Sequence, residues 1–352
     1  MRSLSFTWRT GGIGTSAIVA SRPELSLEMV AGDEETCFWV VDSRVAELWP
    51  GTLSDAPLSE DRGMLLEASE RAKDLSVLTD ILQRLHDAGA HRGWRMVAVG
   101  GGVTMDMAAM AASLYNRGMH LTLVPTTLLG MVDACLGGKT GVNLRGVKNQ
   151  LGTVYPAERV AVFTDFVSTL PDREVRNGLA EALKTSVIAD RRIADQLSGD
   201  FRGQLPELVE RCLRAKASVI GEDLADRGRR HLLNLGHTLG HALEAHSGFG
   251  LSHGETVGLG MLAAAWMGAR MEPESRMMQR LEGLMEHLEL PVRLSDRVDV
   301  EDVMEFVRRD KKTVDGGRRW VIPLDWERCR IEKLPPGVER EMVEGALGSI
   351  SP

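Results

Sequence analysis

The stretch Arg95-Met96-Val97-Ala98-Val99-Gly100-Gly101-Gly102-Val103-Thr104-Met105-Asp106 decides the fold class of this chain. Arg95 to Val99 reads as a short buried strand that runs into three glycines. A helix pattern follows, with Asp106 in its first turn. Strand, glycine turn and helix in that order open an α/β unit. Glycines at such a turn let a backbone approach a phosphate, and the helix N-terminus supplies amide donors and positive dipole. The spacing is not G-x-G-x-x-G, so by itself the turn is as well explained as a tight turn.

The same texture extends in both directions. Cys37 to Val41 is a compact apolar run ending at Asp42, and Leu75, Leu78, Ile81, Leu82 and Leu85 recur at helical spacing. Leu121 to Val124 and Val160 to Phe163 are two more strands. Short buried strands alternating with helices predict a parallel sheet. Asp42, at a strand end, can hold a ribose hydroxyl or cap the next helix. From Pro171-Asp172 onward the pattern is helical to about Arg309, with strands expected only at 319–322 and 329–331. The expected division is therefore an α/β domain over 1–170 and a mostly helical domain over 171–352. The stretch 55–61 reads as a surface loop.

Composition narrows the function. Hydrophobic residues make up 43% and charged residues 26%, as in soluble globular proteins. A net charge of −8 and a pI near 5.7 argue against a general nucleic-acid or anionic-membrane binder. Cys37, Cys135, Cys212 and Cys329 are far apart and form no C-x-x-C, so a reducing compartment is expected. Gly11, Gly12, Gly14 and Thr15 interrupt any signal-peptide run, and the apolar segment near 258–269 is too short to span a bilayer. A cytoplasmic location is expected.

Three segments carry chemistry. Five of the nine histidines lie between His231 and His253. His237 and His241 are four apart and share a helix face, with Asn234 expected one turn earlier on the same side and Arg230 one turn before that. Such a pair is a metal or acid–base site, or merely a half-exposed face. Pro125 to Asn149 sets Thr126, Thr127, Asp133, Lys139, Asn143, Lys148 and Asn149 among Gly130, Gly137, Gly138, Gly141 and Gly146. Lysines amid glycines suit a phosphate or carboxylate. Glu181 and Lys184 are three apart on a helix, which reads as a surface ion pair or as a carboxylate metal ligand with a neighbour. Lys216, Arg230 and the pair Lys311-Lys312 add cations to an acidic chain.

Taken together, GGGVTMD, Arg117-Gly118, PTTLLGMVDACLGGKTGVN, GVKN, TLPDREVRNGLAEALK, RRHLLNLGHTLGHALE, LSHGE and RRDKK resemble the 3-dehydroquinate synthase family of sugar-phosphate cyclases. They stand in that family's order from about Leu66 to Lys312, and the two ends match only loosely.

The resemblance implies an N-terminal Rossmann-like NAD domain, a helical metal domain and an active site between them. It carries zinc, with cobalt as an alternative, onto Glu181, His237 and His253, and three protein ligands leave room for a substrate hydroxyl. Catalytic roles fall to Asp133, Lys139, Lys184, Lys216, Arg230, Asn234 and His241. Substrate contacts fall to Arg117, Lys139, Lys148, Asn149, Lys216, Arg230, Asn234, His241, Lys311 and Lys312. Arg117 would reach the neighbouring subunit's substrate, which implies a homodimer. NAD would meet Asp42, Glu70, Lys73, Gly101, Gly102, Val103, Asp106, Thr126, Thr127, Asp133, Lys139, Lys148, Phe166, Thr169 and Leu170.

The implied reaction converts 3-deoxy-D-arabino-heptulosonate 7-phosphate to 3-dehydroquinate and phosphate, on the shikimate route to aromatic amino acids. It proceeds by transient oxidation with NAD, phosphate elimination, re-reduction and intramolecular aldol closure. Met105 replaces a customary glycine and is expected to crowd the helix start. Arg44, Ala134-Cys135 and Trp326 also depart from the family pattern. Alternatives are a cyclase of the 2-deoxy-scyllo-inosose, epi-valiolone or amino-dehydroquinate type, a glycerol-type metal dehydrogenase, and a non-catalytic descendant. Arg230 and Asn234 are the identities that favour a carboxylate-bearing substrate.

Overall fold

The computed structural model describes residues 2–7, 14–20, 30, 36–52, 61–145, 147–221, 223–224, 226, 228–248, 250–309, 313–314 and 317–352. The chain forms two units, Met1–Pro171 with Ile220–Ala225, and Asp172–Val219 with Asp226–Pro352.

In the first unit, strands β1 (Arg2–Thr7), β2 (Gly14–Ala20), β3 (Cys37–Asp42), β4 (Gly63–Leu66), β5 (Arg95–Gly100), β6 (His120–Pro125) and β9 (Arg159–Phe163) form one sheet. Its order is β1-β2-β9-β6-β5-β3-β4, parallel except for the β1–β2 pair. Val40, Val97, Val99, Val124 and Val162 are fully buried, as strands covered on both faces require. Helices α1 (Ser43–Leu48), α2 (Leu75–Asp87) and α3 (Gly102–Leu114) connect the strands. β7 (Val142–Leu144) and β8 (Val147–Leu151) form a separate hairpin.

The strand order determines where a ligand can sit. In chain sequence the parallel strands β4-β3-β5-β6-β9 run 2-1-3-4-5, so the winding reverses between β3 and β5. Ligands of such sheets bind outside the carboxyl ends of the strands at that reversal. Asp42 ends β3 and Gly100 ends β5, with Val41 paired to Val99.

The hairpin β1–β2 was not expected. Leu4, Phe6, Thr15, Ala17 and Val19 are buried and their neighbours outward, a two-residue alternation diluted by serines. The loop expected at 55–61 lies outside the described residues except for Asp61.

The second unit contains α4 (Asp172–Ile188), α5 (Arg192–Leu197), α6 (Leu205–Ile220), α7 (His237–His246), α8 (His253–Met271), α9 (Met277–His287), α10 (Val300–Arg309) and α11 (Pro336–Ile350). It also has an antiparallel sheet, β10 (Thr313–Val314), β11 (Gly317–Asp325) and β12 (Arg328–Leu334). The two short strands expected there are parts of its long hairpin. α8 is apolar all round and sits at the centre, packed by α4, α7, α9 and α11. Among the described residues no helix is long and apolar enough to cross a membrane.

Glycines bring α7 and α8 together. Gly236 has φ +77, and a Cβ there would come within 2.5 Å of the Val257 carbonyl oxygen. A Cβ at Gly240 would stand 2.9 Å from the Thr256 carbonyl oxygen, and one at Gly260 would strike the Gly236 carbonyl. Side chains at these positions would push the two histidine-bearing helices apart.

Candidate functional site

Glu181, His237 and His253 converge in the helical unit. Their ligand atoms lie within 4.8 Å of one another. Glu181 Oε1 is 3.1 Å from His253 Nε2 and 3.6 Å from His237 Nε2. A tetrahedral ion with bonds of about 2.0–2.2 Å spaces its ligand atoms about 3.3–3.6 Å apart, so the residues fit a zinc-sized ion. The donor set of two imidazoles and a carboxylate suits zinc or cobalt.

Local packing explains the convergence. Asn177 Oδ1 accepts from the Gly254 N–H at 2.9 Å, and Arg173 pairs with Glu255 at 3.0 Å. A Cβ at Gly254 would stand 2.5 Å from the Asn177 Cα, so only glycine permits this approach. The start of α8 is thereby pinned to α4 one turn before Glu181. A capping box between Ser252 and Glu255 fixes the helix end that carries His253.

The electrostatics favour ligation at Glu181 and His237, whereas His253 has to give up a proton to ligate. Burial pushes the Glu181 carboxyl up, but Lys184, His237 and His253 outweigh it and hold it well below its usual range. Burial, helped by Lys184 and the other histidines, holds His237 well below 6.5, so its ring is neutral. Its Nδ1–H donates to the Leu235 carbonyl at 3.0 Å, which leaves the Nε2 lone pair facing Glu181. Burial lowers His253, yet Glu181 and Glu244 override it and raise the group to about 9.

Glu181 and Lys184 do form an ion pair, but not the exposed one considered from spacing. Both side chains are 1% exposed. Lys184 is one of several groups that face Glu181, beside His237 and His253, so the pair sits inside a buried charged cluster. His241 stands beside the triangle, its ring 5.3 Å from His237 and 6.1 Å from His253, outside the ligand set. Lys216 on α6 and Arg230 are buried.

The expected helix from Arg230 through His241 is broken. Arg229–Asn234 is a 3-10 helix, and α7 begins at His237 only after Gly236. In a 3-10 helix residues three apart eclipse, so Asn234 meets His231, not Arg230. Asn234 Nδ2 donates to the His231 carbonyl at 3.1 Å and lies 3.3 Å from its Nδ1. Lys311 and Lys312 lie outside the described residues.

The α/β unit presents an open helix N-terminus at the winding reversal. Gly101 caps α3 with no side-chain acceptor. A Cβ at Gly100 would strike Thr104 at 2.6 Å, and one at Gly101 would stand 3.0 Å from Thr127. Gly102 alone of the three faces open space, beside Val103. Thr126 N–H donates to the Gly100 carbonyl at 3.0 Å, and Thr127 Oγ1 accepts from Gly130 N–H at 3.1 Å. Met105 does not crowd this end: it is 2% exposed and its Cε packs toward Gly130.

Asp42 is an N-cap, accepting from Arg44 N–H at 2.9 Å through Oδ1, and burial raises its carboxyl. Phe166 is 1% exposed and packs edge-on against Trp49 at 5.1 Å. Trp49 Nε1 donates to Thr169 Oγ1 at 3.0 Å, and Leu170 closes that turn. The Phe166 ring thus packs between Trp49 and Phe163, and its carbonyl accepts from Thr169 Oγ1 at 3.2 Å.

Lys73 joins several expected residues. Its Nζ is 2.7 Å from Asp106 Oδ2 and donates to Asn149 Oδ1. Asn143 Nδ2 donates to Glu70 Oε1 at 2.9 Å. Asp133 lies on a π-helical turn, Gly130–Ala134, a distortion common at functional sites. Lys139 and Lys148 are carried by the segment that follows, Lys139 exposed and Lys148 on β8. The glycines here serve the protein first: Gly138, at φ +68, lies against Pro156, and Gly141 against the Asn149 side chain. Arg117 is exposed just past the end of α3, and the thirteen-residue helix separates it by about 20 Å from the Gly101 end. The structure does not bring it to this chain's own cradle.

Glu244 was missed. Its Oε2 is 3.6 Å from His253 Nδ1, the carboxylate–histidine arrangement that orients a metal ligand. It lies seven residues after His237, two turns along one helix face, and that spacing would have found it. Glu244→Gln is expected to weaken zinc affinity about tenfold or more, read by competition with a chromogenic chelator. Unchanged affinity would remove Glu244 from the site.

The chain joins a doubly wound sheet with an open helix N-terminus to a helical unit holding a Glu-His-His cluster, and its similarity to known proteins places it among the sugar-phosphate cyclases. The fold matches 2-epi-5-epi-valiolone synthase from Streptomyces hygroscopicus subsp. jinggangensis 5008, solved with NAD+ and Zn2+ bound. That match has a TM-score of 0.82 and 27% identity over 97% of this chain and 99% of that one. Residues 63–177 match the family model for the 3-dehydroquinate synthase N-terminal half, and 178–313 match the C-terminal half. A 3-dehydroquinate synthase of Symbiobacterium thermophilum is 38% identical over 81% of this chain and 83% of its own length. Another, of Acidithiobacillus ferrooxidans, is 38% identical over 91% and 89%. The chain belongs to the 3-dehydroquinate synthase family.

Proposed function

We propose that this enzyme converts 3-deoxy-D-arabino-heptulosonate 7-phosphate to 3-dehydroquinate and phosphate, with NAD and a zinc ion. The observation that carries the reading is that both family halves match in succession, from 63 to 313, with Glu181, His237 and His253 inside the second. Bound NAD would supply a reversible hydride acceptor, and the ion would polarise the alcohol being oxidised.

The chain's own residues do the rest. The α3 N-terminus, Gly102 and Asp42 would hold the nucleotide at the winding reversal. Lys139, Lys148, Asn149 and Lys216 would bind the phosphate, and Arg230 the carboxylate, through charge-assisted bonds. Asp133, Lys184 and Asn234 would orient the substrate, and His241 stands close enough to the metal ligands to move a proton without ligating. Arg117 suits a role toward a second copy of the chain in a homodimer. Four free thiols fit a cytoplasmic location.

Because the hydride returns within each turnover, catalytic amounts of NAD should support full phosphate release. Absorbance of NADH should stay flat throughout. Accumulation of NADH in step with product would favour a dehydrogenase. Phosphate release from neutral sugar phosphates only would favour a sister cyclase.

A further inference from the structure

We propose that Asn143 is a positioning residue that couples the nucleotide cradle to the β7–β8 hairpin. The inference rests on the proposed function for what binds at each end, and on geometry for the link itself. Asn143 is bonded through its backbone N–H and through both polar atoms of its side chain. Its backbone N–H donates to the Lys73 carbonyl at 2.8 Å, and its Nδ2 donates to Glu70 Oε1 at 2.9 Å and to the Glu70 carbonyl at 3.2 Å. Its Oδ1 accepts from the Asn149 N–H at 2.8 Å.

Asn149 has φ +50, in the left-handed region that asparagine tolerates better than most residues, and the bond from its N–H to Asn143 helps fix it there. Lys73 completes the circuit, because the ammonium that bonds Asn149 also pairs with Asp106. Asp106 lies about one turn into α3, next to the open N-terminus at Gly101 and Gly102. The turn Glu70–Ala72, the start of α3 and the hairpin bearing Lys148 and Asn149 therefore share one hydrogen-bonded network. A ligand that orders the first two biases the third, and linkage makes the effect reciprocal.

The Asn143 amide supplies both the donor and the acceptor, whereas aspartate cannot donate to Glu70 and alanine does neither. Asn143→Ala is expected to raise the NAD dissociation constant about tenfold, and the KM for the heptulosonate phosphate similarly, with kcat within about threefold. In the wild type, NAD should slow amide hydrogen exchange across 142–151, and in Asn143→Ala that protection should disappear. Asn143→Asp keeps the acceptor and the volume but sets a carboxylate against Glu70. It should lose NAD affinity while its KM moves less, and it carries the test should the alanine variant not fold.

A folded variant with wild-type NAD affinity and intact protection would overturn the coupling, as would a wild type whose hairpin gains no protection. Wild-type enzyme that binds NAD yet releases no phosphate from the heptulosonate overturns the proposed reaction instead. The exchange comparison then still decides the role of Asn143.

Discussion

Replacing His253 with alanine is expected to abolish bound metal and catalysis together. His253 would supply one of three ligand atoms, and the other two, on Glu181 and His237, come from α4 and α7. Two ligands hold a borderline ion far more weakly than three, and loss of an outer partner alone costs about 10–100-fold in affinity. A deficit beyond about a hundredfold in zinc affinity is therefore expected. The variant should still fold, because His253 opens α8 and its side chain is 32% exposed. Metal content by atomic emission, with circular dichroism to confirm the fold, checks this. Full occupancy in a folded variant would move the metal elsewhere, and full activity without metal would end the metal-dependent reading.

The sheet strands that surround the cradle were legible because they are short, apolar and bounded by glycine or acidic residues. Cys37 to Asp42 and Arg95 to Gly100 are buried on both faces, so the chain has no polar alternation to hide them. The edge hairpin β1–β2 was not legible, since its inward residues alternate with serines that face outward. Metal-ligand identity was only half legible. His237 and His241 share a face at helical spacing, and spacing alone cannot choose between them. The choice depends on where α8 starts, which Asn177 and Gly254 determine across 77 positions of chain.

Glycines were the residues most open to misreading. A glycine-rich segment suggests a backbone cradling an anion, yet Gly138 and Gly141 lie against the protein's own Pro156 and Asn149. In the Gly100–Gly102 turn, a Cβ on Gly100 would strike Thr104 and one on Gly101 would press on Thr127. Composition shows that backbone must pass close to something, and only the fold shows whether that something is protein or ligand.

Replacing Arg230 with alanine is the sharpest test of substrate class. Arg230 is 3% exposed on the short 3-10 helix that leads toward α7 and His237. Its fork matches a carboxylate, at about 1.5–3 kcal/mol per charged hydrogen bond. Two such bonds lost from the transition state lower kcat/KM by about a hundredfold or more, at about 1.4 kcal/mol per decade. The loss should fall on the heptulosonate phosphate, while a sugar phosphate without a carboxylate should be affected little. Arg230→Lys keeps the charge without the fork and should lie between wild type and alanine. Because the site is buried, the melting temperature of each variant must be measured alongside. A folded Arg230→Ala enzyme with unchanged kcat/KM would mean that the carboxylate is read elsewhere, or that the natural substrate has none.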